Sequence, residues 1–185
     1  MLYHVSATAG IRTLIPRESS HQAAYVYAID NPVTGLLFGA KHDDFDFLID
    51  EEAGIPVVYE CYPDAFRACF RGKGCTVYTV PEEGFRRGVT GWDPELVCDH
   101  PVDVLSETAV PDLYNRLLDE VAAGNLRLYR YRDEPEYRQI IAGHIVDRLI
   151  RFDALDRQST DPRFQKYFGP ICDALRSAMD GHLLI

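Results

Sequence analysis

The sequence is short of positive charge, and of lysine above all. Three lysines stand beside sixteen arginines, and the 19 basic residues face 29 acids, a net charge of −10 over 185 residues. Gripping a nucleic-acid backbone or an anionic lipid surface takes an excess of positive charge. Neither a nucleic acid nor a membrane is therefore expected as a partner. Long apolar runs are also missing: a stretch such as Ile55 to Tyr59 falls far short of the roughly 20 residues of a membrane span. The opening Met1-Leu-Tyr-His-Val has neither the basic nor the apolar region of a secretory signal, so a cytoplasmic location is expected. Cysteine is present but unpaired in pattern. Cys61, Cys69, Cys75, Cys98 and Cys172 are odd in number, and no two form a C-x-x-C. Their spacings match no common zinc motif, so they read as reduced thiols with no metal. Repeats and low-complexity tracts are absent, as are the phosphate-cradling, dinucleotide, metalloprotease and nucleophile-elbow motifs.

What is there suffices for a folded core. Apolar residues make up 46% and aromatics 11%, and a chain of this length buries roughly 70% of its unfolded surface. The chain changes character along its length, which predicts an α+β protein. Residues 1–105 read as a strand-rich core, and residues 106–185 as a mostly helical extension packed on it. Leu2–Ser6, Ala24–Ile29, Ile55–Tyr62, Cys75–Val80, Glu95–Cys98 and Val102–Leu105 have strand composition. Ala9–Ile15 reads as a short turn of helix, Arg17–Gln22 as a loop, and Lys41–Gly54 as a loop or a short amphipathic piece. Asp30 or Asn31 caps a helix with Pro32 in its first turn, running to about Ala40. Later helices are expected over Pro111–Ala123, Asp133–Phe152 and from Pro162 to about His182, the last with Phe164, Phe168, Ile171, Cys172 and Leu175 on its apolar face. Leu126–Tyr131 is a strand or an extended connector. Two glycine-rich stretches with basic residues, Arg71–Gly74 and Arg86–Gly91, read as plain turns.

Three phrases carry chemistry in a suggestive order: Leu2-Tyr-His-Val-Ser6, Tyr25-Val-Tyr-Ala-Ile-Asp30 and Pro94-Glu-Leu-Val-Cys98. Over residues 1–105 this resembles the ADP-ribosyltransferase-like fold, in its class with a His-Tyr-Glu triad. The resemblance implies a split β-sheet and NAD as a substrate. It implies that His4 hydrogen-bonds a ribose hydroxyl of NAD and the backbone near the nicotinamide. Tyr27, or else Tyr25, would stack on the nicotinamide ring, and Glu95 would accept the 2′-hydroxyl of its ribose. The residue types suit that chemistry. A fixed carboxylate acts where positive charge develops, and an aromatic face attracts a flat cation. The sequence departs from the family at Val5, where a small residue is usual, and at Asp93, where arginine and serine modifiers carry Glu or Gln.

Other readings stand beside this one. Glu60 is a competing acid inside an apolar strand, and it needs a partner if it faces inward. Cys98 and His100 point the same way along a strand, so a nucleophilic cysteine is possible if they lie within about 4 Å of each other. A non-catalytic reading makes the helical half an interaction or scaffold element, with a homodimer or another protein as partner. Six of the ten residues from Asp43 to Glu52 are acidic: Asp43, Asp44, Asp46, Asp50, Glu51 and Glu52. The acidity is thus regional, which leaves a small nucleotide compatible with the first half.

Overall fold

The computed structural model describes residues 1–18, 23–43, 45–151 and 155–182, with the side chains of 151, 172 and 174–182 excepted. Asp44 and most of the loop expected over Arg17–Gln22 lie outside the described residues, as do the side chains of Cys172 and Leu175. The first half of the chain contributes β1 (Leu2–Ser6), β2 (Thr13–Leu14), β3 (Arg17–Glu18), β4 (Ala24–Ile29), α1 (Pro32–Leu36), β5 (Phe47–Glu52), β6 (Ile55–Glu60), α2 (Ala65–Phe70) and β7 (Cys75–Val80). The second contributes β8 (Arg86–Arg87), β9 (Glu95–Cys98), β10 (Val102–Asp103), β11 (Ser106–Val110), α3 (Leu113–Ala122), β12 (Arg127–Tyr129), α4 (Pro135–Arg151), α5 (Leu155–Gln158) and α6 (Pro162–His182). Helices and antiparallel sheets together make this an α+β protein.

The chain forms two compact units interleaved along the sequence. Unit 1 holds residues 1–42, 51–56 and 67–127; unit 2 holds residues 43–50, 57–66 and 128–185. The segment 43–66 thus gives most of its residues to the unit that contains α4 and α6. A further three-stranded sheet runs in the order β12-β6-β5.

Unit 1 is built on a seven-stranded sheet, ordered β11-β7-β1-β4-β9-β8 with β3 paired to β4. Strand alternation sorts its side chains. Leu2, Val26, Ala28, Val80, Leu96 and Cys98 lie on one face and join Leu14 and Val102 in a buried cluster. Each leucine and valine among them contributes about 1.5–3 kcal/mol by leaving water. The other face carries Val5, against which Gly35 of α1 packs so closely that a Cβ on it would lie 3.3 Å from Val5 Cγ2. Asn31 is the cap of α1: its side chain accepts from the N–H groups of Val33 (2.9 Å) and Thr34 (3.3 Å). Gly39 admits no side chain, because a Cβ would meet Cys75 Sγ at 2.8 Å and Leu113 Cδ2 at 2.9 Å.

Three expectations change. Ala9–Ile15 is not a helical turn: Thr13 and Leu14 pair with Asp103 and Val102, and Thr13 Oγ1 donates to Asp103 Oδ1 at 2.8 Å. Lys41–Gly54 is not all loop, because Phe47–Glu52 is a strand that returns as β6 through Ala53 (φ 53°) and Gly54 (φ 79°). Two consecutive positive φ values make the tight hairpin turn that matches strand twist. Ser106–Val110 is a strand at the sheet edge, paired along its length with β7.

Unit 2 is held by aromatic packing. Phe45, Phe164 and Phe168 cluster with Leu48, Tyr62, Ile141, Ile145 and Leu149. The phenyl rings of Phe45 and Phe164 meet edge to face at 5.1 Å, and Tyr62 stacks on Tyr167 at 4.7 Å. Asp161 begins α6, its Oδ1 accepting from the Arg163 N–H at 2.7 Å with Pro162 at the first turn. The Arg163 guanidinium then donates to Asp43 (2.6 Å), Asp46 (3.1 Å) and Asp161 (2.9 Å) and lies 5.1 Å over the Phe45 ring. Asp46 is fully buried, and its other donors are the Tyr62 hydroxyl (2.6 Å) and the Asp43 N–H (2.7 Å).

Candidate functional site

Three neighbouring strands of unit 1 carry the residues singled out in the sequence: β1 with His4, β4 with Tyr25 and Tyr27, and β9 with Glu95. β1 pairs with β7 at five positions but meets β4 only at Tyr3 and Ile29. Beyond that pair the ladder gives way to a side-chain bond, His4 Nδ1 to the Tyr27 carbonyl at 2.8 Å. A carbonyl only accepts, so the proton is on Nδ1 and Nε2 carries the lone pair of the neutral ring. Burial lowers the His4 pKa, with the nearby Arg17 charge a smaller contribution in the same direction and the Tyr27 bond opposing both. The ring lies 6.2 Å from that of Tyr78 on β7.

Tyr78 organises the segment that follows β1. Its hydroxyl donates to the Thr8 carbonyl (2.7 Å) and accepts from the Ile11 N–H (3.2 Å). Nothing in the β-branched, aromatic composition of Cys75–Val80 distinguishes this tyrosine from one that only packs.

Across β4 and β9 the register sets Ile29 opposite Glu95 and Tyr27 opposite Val97. Paired residues of an antiparallel ladder share a face, and alternate residues do as well. Tyr25, Tyr27 and Glu95 therefore project from one face. The two tyrosine rings meet edge to face at 6.1 Å. His4 is one residue from Tyr3, which pairs with Ile29, so its side chain leaves β1 on the opposite side. The fold brings Tyr25, Tyr27 and Glu95 to a common face and joins His4 to them through the Tyr27 backbone.

A residue without a role in the sequence reading fixes the start of β9. Arg87 donates to Asp30 Oδ2 and to the Asp93 carbonyl, each at 2.5 Å. These anchors lie just past the Ile29–Glu95 pair, on both strands. The signal available was only the basic Arg86-Arg87 beside glycines. Arg17, on β3, pairs with Tyr25, and its charge adds to the lowering of the His4 pKa.

The competing acid and the competing thiol are also placed. Glu60 is 2% exposed and belongs to unit 2. Its carboxylate accepts from Phe66 N (3.0 Å), Tyr131 N (3.0 Å) and Arg130 Nη1 (3.2 Å), so a buried acid has the partners it requires. Cys98 Sγ lies 3.4 Å from both ring nitrogens of His100, within the distance the cysteine reading needs. His100 Nδ1 lies 3.1 Å from Asp99 Oδ1, and Arg86 donates to Asp99 Oδ2 at 2.8 Å. The His100 bond, then the Arg86 charge, hold the Asp99 carboxyl below its ordinary range. Burial pushes the Cys61 thiol up to about 12 and the Cys75 thiol to about 11, so neither is a nucleophile at neutral pH. No helix among the described residues is long and apolar enough to cross a membrane. No family model matches the chain, and neither a curated protein nor a solved structure matches it.

Proposed function

We propose that this protein cleaves NAD at the nicotinamide–ribose bond and transfers ADP-ribose to an acceptor. The observation that carries the reading is the His4 Nδ1–Tyr27 carbonyl bond where β1 and β4 part. It leaves Nε2 with the lone pair of the neutral ring, the acceptor for a ribose hydroxyl. Tyr27, with Tyr25 edge-on beside it, offers an aromatic face for the nicotinamide ring. Glu95, on the same face and at the start of β9, accepts the 2′-hydroxyl of the nicotinamide ribose. When the C1′–N bond breaks, its electron pair neutralises the pyridinium nitrogen, and nicotinamide leaves neutral. Positive charge then spreads over C1′ and the ring oxygen, where the Glu95 carboxylate is worth most. An acceptor nucleophile forms the new bond to C1′ and gives up its proton.

The test is nicotinamide release from NAD, followed by chromatography. Glu95→Gln keeps the side-chain shape and loses the charge. It is expected to slow release by at least about 100-fold, the scale of removing one transition-state stabiliser, with the circular dichroism spectrum unchanged. Release at the wild-type rate sinks the assignment of Glu95.

The second reading is a non-catalytic protein of the same fold acting through its helical half, with a further copy or another protein as partner. Its support is the exposure of Ile140 (56%) and Ile150 (64%) on α4. It is the reading that remains if wild-type protein neither binds NAD nor releases nicotinamide.

A further inference from the structure

We propose that Cys98, Asp99 and His100 form a binding site for a divalent transition-metal ion of the zinc type. The three side chains follow one another where β9 ends and the chain bends, and their ligand atoms all lie within 4.8 Å of each other. A thiolate, an imidazole nitrogen and a carboxylate are the donors such ions take. Neighbouring ligands of a tetrahedral zinc ion stand about 3.3–3.6 Å apart, given the usual metal–sulfur, metal–nitrogen and metal–oxygen lengths. Two of the three spacings are close to this: His100 Nδ1 is 3.4 Å from Sγ and 3.1 Å from Asp99 Oδ1. The thiolate and the carboxylate lie within 4.8 Å of each other, so a turn of the exposed His100 and Asp99 side chains completes the set around an ion.

Two features around the cluster belong to a built site. Asp99 Oδ2 is held by Arg86 at 2.8 Å, which fixes the carboxylate as an outer partner does around a metal ligand. Gly84, with φ +83°, lies against the ring. A Cβ there would come within 2.6 Å of His100 Cε1 and 2.7 Å of Nε2, and 3.5 Å from Cys98 Sγ. Glycine there keeps a Cβ off the imidazole ring. Cys98 is itself fully buried while Asp99 and His100 are exposed, so the ion would sit at the edge of the apolar cluster with its fourth position toward water. Binding replaces the thiol proton, which goes to solvent. The two anionic ligands balance the charge of the ion.

The site is independent of the NAD reading. Cys98 is three residues along β9 from Glu95, an odd separation that puts the two on opposite faces of the strand.

Cobalt(II) titration of reduced, metal-stripped protein tests the proposal. One equivalent is expected to produce a thiolate-to-cobalt charge-transfer band in the near ultraviolet and the intense visible bands of tetrahedral cobalt. Zinc should bleach both. Cys98→Ser should abolish the charge-transfer band, and Cys69→Ser should leave it intact. His100→Gln, an exposed change that leaves the apolar cluster untouched, should weaken cobalt binding by at least about 100-fold, since even outer partners act on a scale of 10–100-fold. No thiolate band in the wild type, a band that survives Cys98→Ser, or unchanged affinity in His100→Gln each overturns the site.

Discussion

The most informative single residue is His4, because one bond defines its tautomer while burial acts against its charge. The unfolded chain titrates this group near 6.5, and burial lowers that value in the native state. Between the two values the unfolded state binds more protons, so stability falls as pH drops from 6.5 toward the native pKa. Above 6.5 the ring is neutral in both states and the contribution is flat. Below the native pKa the loss is complete. Urea midpoints measured from pH 7.5 down to about pH 5, above the main carboxylate range, should therefore decline less steeply in His4→Asn than in the wild type. Equal slopes in the two proteins would show that burial does not hold His4 neutral. The histidine itself was legible from its place in the first strand. Its actual partner, a backbone carbonyl, was not, since no residue type announces which carbonyl a ring nitrogen will find. Glu60 is the reverse case. An acid among Val58, Tyr59, Cys61 and Tyr62 signals a need for partners, and the fold supplies two backbone N–H groups and a guanidinium.

Those same bonds tie elements together, and a prediction follows at that scale. Glu60 ends β6 and accepts from the backbone of α2 and from the segment after β12, all within unit 2. Glu60→Gln keeps the volume but leaves one acceptor oxygen where two backbone donors converge. One buried N–H loses its bond, which costs about 1–3 kcal/mol and should appear as a lower urea midpoint with an unchanged slope. A change under about 0.5 kcal/mol, the scale of a neutral surface substitution, would mean that the donors rebond elsewhere. Element legibility divides along the same physical line. β1, β4 and β7 matched their sequence bounds because β-branched and aromatic residues recur within them, and β9 because a short apolar run follows Pro94 and Glu95. β11 did not, because Ser-Glu-Thr at a sheet edge has no apolar alternation to read. The turn between β5 and β6 was hidden because Ala53 occupies a positive-φ position that Asn or Asp usually marks. β2, only two residues long, exists through its pairing with β10 and not through its own composition. Site legibility was similarly partial: the Tyr-x-Tyr period put both rings on one face, whereas Arg87 required the β4–β9 register to bring Asp30 and Asp93 together.

At the scale of the whole molecule the governing quantity is the net charge of −10. Internal pairing redistributes this charge without reducing it. Asp43 and Asp46 face Arg163, and Glu52 pairs with Arg127, so part of the acidic stretch is locally compensated. The Glu52–Arg127 pair is neutral in sum, Arg163 is shared by Asp43, Asp46 and Asp161 and leaves an acidic excess there, and the distant field is set by the excess of acids over bases. A polyanion approaching from any distance beyond a Debye length meets that excess. A dinucleotide carries few charges and is held by local groups, so the same field opposes it weakly. These two cases separate in solution. Anisotropy of a labelled single-stranded RNA should stay flat at physiological ionic strength up to about 100 μM protein, through the range where basic proteins bind nucleic acid non-specifically. Lowering the salt should not rescue binding, because screening is what shields the RNA from repulsion here and not what competes with attraction. Saturable binding that strengthens as salt falls would instead require a basic surface strong enough to overcome the net field. The exposed Arg71 and Lys73 after α2 would be the first place to look for it.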